Sequence, residues 1–115
     1  MPLFCIVAHD KPDSEAPARR QAARVAHFHR MRLSVKWKQV HFAGSMLSED
    51  GTMWASVLIV DFPGRAALDI WLAEEPYVLN GAWERVEAAP LFVAVQEGEV
   101  TQRWLDLMRP LVEGH

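Results

Sequence analysis

Short apolar runs alternate with polar punctuation along the chain, and the period of each run predicts its element. Leu3 to Ala8 is continuous, apolar and β-prone, which predicts a buried first strand. The polar stretch His9-Asp10-Lys11-Pro12-Asp13-Ser14 reads as a loop. Asp13 or Ser14 is placed to cap a first helix, and Pro17 suits its opening turn. That helix is expected to run to about Leu33. Val35 to Met46 reads as a second strand, with Val35, Trp37 and Gln39 starting one face and Val40 and Phe42 carrying apolar character on the other. The slip near Gln39 predicts a bulge or an edge. Ser48-Glu49-Asp50-Gly51 is a turn, with Asp-Gly as the hairpin signal. Trp54 to Phe62 is the third strand, and Ser56 shares a face with Leu58 and Val60, so its hydroxyl is expected to point inward.

Pro63-Gly64 punctuates, and Arg65 to Glu75 patterns as a second helix stopped by Pro76. Tyr77 to Gly81 reads as a short connector of about one turn. Trp83 to Gln96 contains a fourth strand, in which Pro90 demands an edge, a bulge or a break. Glu99 to Arg109 patterns as a third helix with Val100, Trp104, Leu107, Met108 and Leu111 as its apolar stripe, and Pro110 is expected to end or kink it. The order β-α-β-β-α-β plus a terminal helix is the ferredoxin-like α+β pattern: a four-stranded antiparallel sheet with helices on one face. The other face needs a cover, and a second copy packed sheet against sheet is the expected one.

A chain of 115 residues fits one domain, and a composition that is 50% hydrophobic supports a real core. The formal net charge is −3 and there is no lysine-rich run, so nucleic acid is not an expected partner. The single cysteine, Cys5, excludes an internal disulfide framework and fits a reducing compartment. The opening apolar run is too short for a membrane span and lacks the flanks of a signal peptide. No membrane association and a cytoplasmic location are expected.

The chemistry begins on the first helix. At about 100° per residue, Arg20, Arg24, His27, Phe28 and Met31 fall on one side. Two apolar side chains thus share a stripe with three groups that are, or can become, cationic, which suits the wall of a small pocket for an electron-rich or anionic ligand. The same stripe also fits a half-buried helix whose arginines extend along the surface and whose histidine is satisfied in the core. Glu75 is the second residue of interest. At a helix C-terminus the dipole disfavours a carboxylate by roughly 0.3–1 kcal/mol, so one facing the core needs a partner, and the first-helix cations are the candidates. Otherwise it reaches solvent at the domain edge. A histidine with a carboxylate partner is a general acid–base unit. Ser56 could orient a ligand oxygen. No metal is expected: His27 and His29 point about 200° apart on a helix, and His9, His41 and Cys5 show no ligand spacing. No glycine-rich phosphate loop is present, so no nucleotide cofactor is expected.

Several stretches together resemble one family. They are Ala8-His9-Asp10-Lys11-Pro12-Asp13-Ser14, Arg20-x-x-x-Arg24-x-x-His27-Phe28, Ala43-Gly44, Ala55-Ser56-Val57-Leu58-Ile59-Val60, and Glu75-Pro76-Tyr77-Val78 followed by Gly81. In this order and spacing they resemble the YciI-like (YCII-related) family of the dimeric α+β barrel group. The resemblance implies a ferredoxin-like subunit, a homodimer and a pocket holding a histidine and an aspartate. The family histidine falls on His27, the family aspartate on Glu75, and the loop aspartate on Asp10. Glu for Asp lengthens the carboxylate by one methylene, about 1.5 Å. Ser45 stands where the family has proline, and Ala55 where it has glycine. Residues 1–96 are then the family domain and 97–115 a helical extension serving as a dimer latch or lid.

Some members resemble dehydrochlorinases of hydroxylated aromatic compounds, and similarly folded relatives include lactone isomerases. The leading expectation is a cofactor-free lyase or isomerase acting on a small cyclic or aromatic anion. His27 would be its acid or base, Glu75 or Asp10 the orienting carboxylate, Arg20 and Arg24 the charge stabilisers, and Ser56 a substrate contact. The alternative is a non-catalytic dimer that binds a small molecule. A third is a structural partner domain with tryptophans at an exposed patch.

Overall fold

The computed structural model describes residues 2–114. Its elements are β1 (Leu3–Asp10), α1 (Ala16–Lys36), β2 (Val40–Leu47), β3 (Met53–Asp61), α2 (Arg65–Ala73), the single-turn α3 (Pro76–Leu79), β4 (Trp83–Pro90), β5 (Val95–Gln96), β6 (Glu99–Val100) and α4 (Gln102–Glu113). The first four strands form one antiparallel sheet in the order β2-β3-β1-β4, the ferredoxin-like arrangement expected from the sequence.

Burial alternates strictly along β1, with Phe4, Ile6, Ala8 and Asp10 on the helix-covered face. Ile6 stands opposite Leu58 and Ala8 opposite Ser56, so Ser56 points inward as its alternation predicts. Leu68, Trp71 and Leu72 of α2 and Tyr77 of α3 close over this face. What α1 buries is unusual. Its buried residues are Arg20, Ala23 and Ser34, two of them polar. Ser34 Oγ accepts a hydrogen bond from Trp71 Nε1 at 3.0 Å, and Arg20 is the start of the site below. A helix that puts polar groups where packing alone favours apolar ones breaks the amphipathic rule, and such breaks concentrate at functional sites.

The other face of the sheet is apolar and open. Cys5, Val7, Val57 and Ile59 are half-buried there, and Phe42 and Met46, paired with Ile59 and Ala55, are 56% and 42% exposed.

Several expected boundaries move. The second strand starts at Val40, because α1 continues through Val35 and Lys36. The chain then reverses at Lys38, which takes φ +60°, and the amides of Trp37, Lys38 and Gln39 cap the helix carbonyls of Leu33, Val35 and Ser34. The bulge falls just after Gln39, between Val40 and Phe42. The cap position of α1 is Glu15, without a side-chain cap, while Asp13 Oδ1 accepts from the Glu15 amide at 3.1 Å. The fourth strand ends at Pro90 on the sheet edge, and of the remainder of its expected run only Val95–Gln96 is strand, pairing with Glu99–Val100 in the small β5–β6 hairpin. Val100 therefore belongs to a strand, and α4 starts after Thr101, whose Oγ1 accepts from the Trp104 amide at 3.3 Å. Pro110 lies inside α4 and does not end it. The carbonyl it leaves without an amide partner sits on an exposed helix, where water can satisfy it. No helix among the described residues is long and apolar enough to cross a membrane.

Candidate active site

Two buried carboxylates each hold a cationic or titratable side chain of α1, and the two pairs share one cavity. The first pair is Asp10 with Arg20. Asp10 ends β1 at a register shift and is 9% exposed; Arg20 is 4% exposed. Arg20 Nε donates to Asp10 Oδ2 at 2.5 Å and Nη2 to Oδ1 at 2.9 Å, a bidentate fork. Nη2 also donates to Ser56 Oγ at 3.0 Å, and Nη1 approaches Met53 Sδ at 3.8 Å. The pair is electrically neutral, so Arg20 brings fixed polarity to the cavity and no net charge.

The second pair is His27 with Glu75. His27 Nδ1 lies 2.6 Å from Glu75 Oε1, and Glu75 is fully buried. Helical patterning alone puts Glu75 in the last turn of the second helix, where the dipole opposes it. In the fold α2 ends two residues earlier, and Glu75 is the N-cap of α3, its Oε2 accepting from the Tyr77 amide at 2.6 Å. The carboxylate thus sits at a helix start, where backbone N–H groups favour it. Arg30 Nη1 stands 3.9 Å from Oε1 as a second cation. Burial pulls the Arg30 guanidinium below its usual value, against the opposing fields of Glu75 and Glu74. Arg30 is anchored by donating to the Trp71 carbonyl at 2.5 Å and by lying over the Trp71 ring.

The imidazole itself is locked by aromatic packing. It stacks on Tyr77 with centroids 4.0 Å apart and planes 12° apart, and Trp83 meets it edge-on at 5.8 Å. With Nδ1 engaged by Glu75, Nε2 is the nitrogen left to the cavity, and the His27 side chain is 20% exposed.

The cavity has a volume of about 300 Å³ and is bounded by α1, β2, β3, α3 and the start of β4. An apolar cavity of about 150 Å³ accommodates benzene, so this one has room for a substituted single ring. Arg20, Arg24, His27 and Ser56 all line it, whereas Asp10 and Glu75 stand behind the wall as partners of Arg20 and His27. Asp10 is committed to Arg20, and Glu75 is the carboxylate on His27. Arg24 is exposed and forms no ion pair among the described residues. His29 is also exposed and lines no part of the cavity, and no group of three potential metal ligands gathers among the described residues. Tyr77, Met53 and Arg30 were not singled out from the sequence. For Tyr77 a signal was available: Pro76 suits the first position of a helix, so the preceding Glu75 is a helix start, and Tyr77 supplies the amide it caps.

The fold and the site together define a ferredoxin-like α+β protein with a histidine–carboxylate pair on a ring-sized cavity. The model of the YCII-related domain matches residues 2–91, and the chain belongs to that family. It is similar to Protein YciI of Escherichia coli, with 31% identity over 94 residues, 76% of this chain and 94% of that protein. Among solved structures it is similar to the 5-chloro-2-hydroxyhydroquinone dehydrochlorinase of Burkholderia phenoliruptrix in complex with 2,5-dihydroxybenzoquinone. The TM-score is 0.69 at 17% identity, covering 84% of this chain and 99% of that one. MtbAldR superposes with a TM-score of 0.53 at 13% identity, over 88% of this chain and 60% of that one. Both show the fold alone.

Proposed function

We propose that this protein is a cofactor-free acid–base enzyme of lyase or isomerase type, acting on a small cyclic or aromatic anion. The observation that carries this reading is the 2.6 Å contact between His27 Nδ1 and a fully buried Glu75. With Glu75 as a carboxylate, Nδ1–H donates to it, and the Nε2 lone pair is left to the cavity. Nε2 then removes a proton from a ring carbon or hydroxyl, and Glu75 stabilises the imidazolium that forms. The oxyanion developing on the ring meets Ser56 and the Arg20 guanidinium, whose orientation Asp10 fixes in advance. The imidazolium returns its proton to the leaving group or to a neighbouring ring atom. The dehydrochlorinase with the related fold carries a single-ring ligand, which is in keeping with a cavity of this volume.

We further infer a homodimer built on the open sheet face. The exposed Phe42 and Met46 beside half-buried Val57 and Ile59 make an apolar surface that a second copy would cover. Residues 97–115 are proposed as a helical extension of the domain that serves as a dimer latch or a lid.

The test is a panel of halogenated hydroxyhydroquinones and enol lactones, scored for halide release and isomerisation. His27→Gln is expected to lower turnover by roughly 10²–10⁴-fold while circular dichroism and subunit mass stay unchanged. An unaltered rate would remove His27 from the mechanism. Thermal stabilisation by the panel without any product would favour the small-molecule-binding reading instead.

A further inference from the structure

The geometry points to the ligand class: a single ring with one permanent negative charge at its outer end and an oxygen function at its inner end. This rests on the site proposed above but not on its chemistry. Of the side chains that line the cavity, Arg20, Arg24 and His27 can carry positive charge. Arg20 is neutralised by Asp10, and His27 is held by Glu75. Arg24 alone has no acidic partner among the described residues. It follows Arg20 by one helical turn, roughly 6 Å along the α1 axis, and stands exposed at the rim. The cavity therefore presents one uncompensated positive charge, and it does so on a chain whose formal net charge is −3. A net attraction for a permanent anion therefore centres on this spot.

A monoanion matches that arrangement. A dianion would bring a second charge with no cation to meet it, against a largely apolar wall. A neutral ring would leave Arg24 as it is and gain nothing from it. The guanidinium fork suits a carboxylate, which it can bind through two parallel hydrogen bonds.

The inner end has a different character. Ser56 is 6% exposed, and its Oγ already accepts from Arg20 Nη2 at 3.0 Å. Its hydroxyl hydrogen is thus free to donate, and a ligand carbonyl or phenolic oxygen is the complementary acceptor. The Tyr77 ring also lines the cavity, with His27 stacked on it at 4.0 Å and the Arg20 guanidinium carbon 5.4 Å from its centroid. The cavity volume of about 300 Å³ is what limits the ligand to a single substituted ring.

Calorimetric titration with 4-hydroxybenzoate, phenol and 4-hydroxyphthalate tests this, using the full chain and its Arg24→Gln, Arg24→Lys and His27→Gln variants. The expected result is that 4-hydroxybenzoate binds about tenfold or more tightly than phenol, the scale of one charge-assisted hydrogen-bonded contact. It should also bind more tightly than the dianion. Arg24→Gln should erase the preference over phenol, Arg24→Lys should keep part of it, and His27→Gln should leave it intact. Because Arg24 is exposed, Arg24→Gln is expected to fold, and its circular dichroism serves as the control. Equal binding of 4-hydroxybenzoate and phenol, a preference untouched by Arg24→Gln, or no binding of 4-hydroxybenzoate at millimolar concentration would each overturn the assignment. Normal turnover in His27→Gln with the preference retained would defeat the acid–base reading and leave the ligand class standing.

Discussion

Glu75 Oε1 lies 2.6 Å from His27 Nδ1, with the carboxylate wholly withdrawn from solvent and the imidazole reaching the cavity. The same carboxylate caps α3 through Oε2, so one side chain fixes both the His27 imidazole and the turn that carries Tyr77 beneath it. Packing, capping and the proposed chemistry all meet at this residue.

Replacing Glu75 should therefore destabilise the fold as well as silence the site. Glu75→Ala removes a cap and leaves Arg30 facing a buried gap, a change expected to cost about 3–5 kcal/mol. Urea unfolding measures it, and a loss under about 1 kcal/mol would show that the carboxylate is not structurally engaged. Glu75→Asp shortens the reach by about 1.5 Å, so turnover should fall more than stability does.

The Asp10–Arg20 pair should behave as a unit. Asp10→Ala strands a buried guanidinium and should destabilise by about 3–5 kcal/mol, whereas Asp10→Ala combined with Arg20→Met should recover much of that loss. A double-mutant cycle in urea checks this. Additive effects would mean that the fork contributes little.

At the β2–β3 turn, Ser48 and Thr52 hold the Asp50 carboxyl at about 2, well below its ordinary 3.8. A carboxyl depressed in the folded state stabilises above its unfolded value, and that contribution is lost as pH falls through the folded one. The stability difference between wild type and Asp50→Asn should be complete above about pH 5 and shrink progressively toward pH 2. Equilibrium unfolding at several pH values reads this difference, and a difference independent of pH would contradict the turn's geometry. Gly51 in the same turn takes φ +86°, a conformation that leaves little choice but glycine.

The open sheet face should hold the dimer together. Ile59→Lys places a charge among Cys5, Val57 and Phe42 and should shift the mass in solution from twice the 13.1 kDa chain to one copy. Light scattering after size exclusion measures it. A wild-type protein that runs as a monomer would remove the dimer from the account.

Most of the architecture was legible because its strands carry plain signals. The alternation of β1, the β-branched run of β3 and the Asp50-Gly51 turn need no tertiary information. The errors cluster where local pattern and tertiary context disagree. Val35 and Trp37 alternate like a strand, yet they end α1, because the helix is stopped by the backbone reversal at Lys38 and not by side-chain pattern. Pro110 reads as a terminator but sits in an exposed helix that tolerates it.

The site was legible in its membership more than in its wiring. The stripe Arg20, Arg24, His27 follows from helical spacing alone. Which carboxylate meets which cation does not, because Asp10 and Glu75 come from other elements. That pairing depends on the end of β1 and the start of α3 being brought against the same face of α1, about two turns apart. Arg30 and Met53 escaped notice for the same reason: their partners are distant in sequence.

Nitrogen NMR of the His27 ring shows whether Glu75 holds it with a free Nε2 on the cavity. Long-range proton–nitrogen correlations at neutral to mildly alkaline pH distinguish the tautomers without any substrate. The neutral form of the ring should carry its proton on Nδ1, and in Glu75→Gln it should revert toward the ordinary Nε2–H mixture. A neutral wild-type ring protonated at Nε2 alone would contradict this.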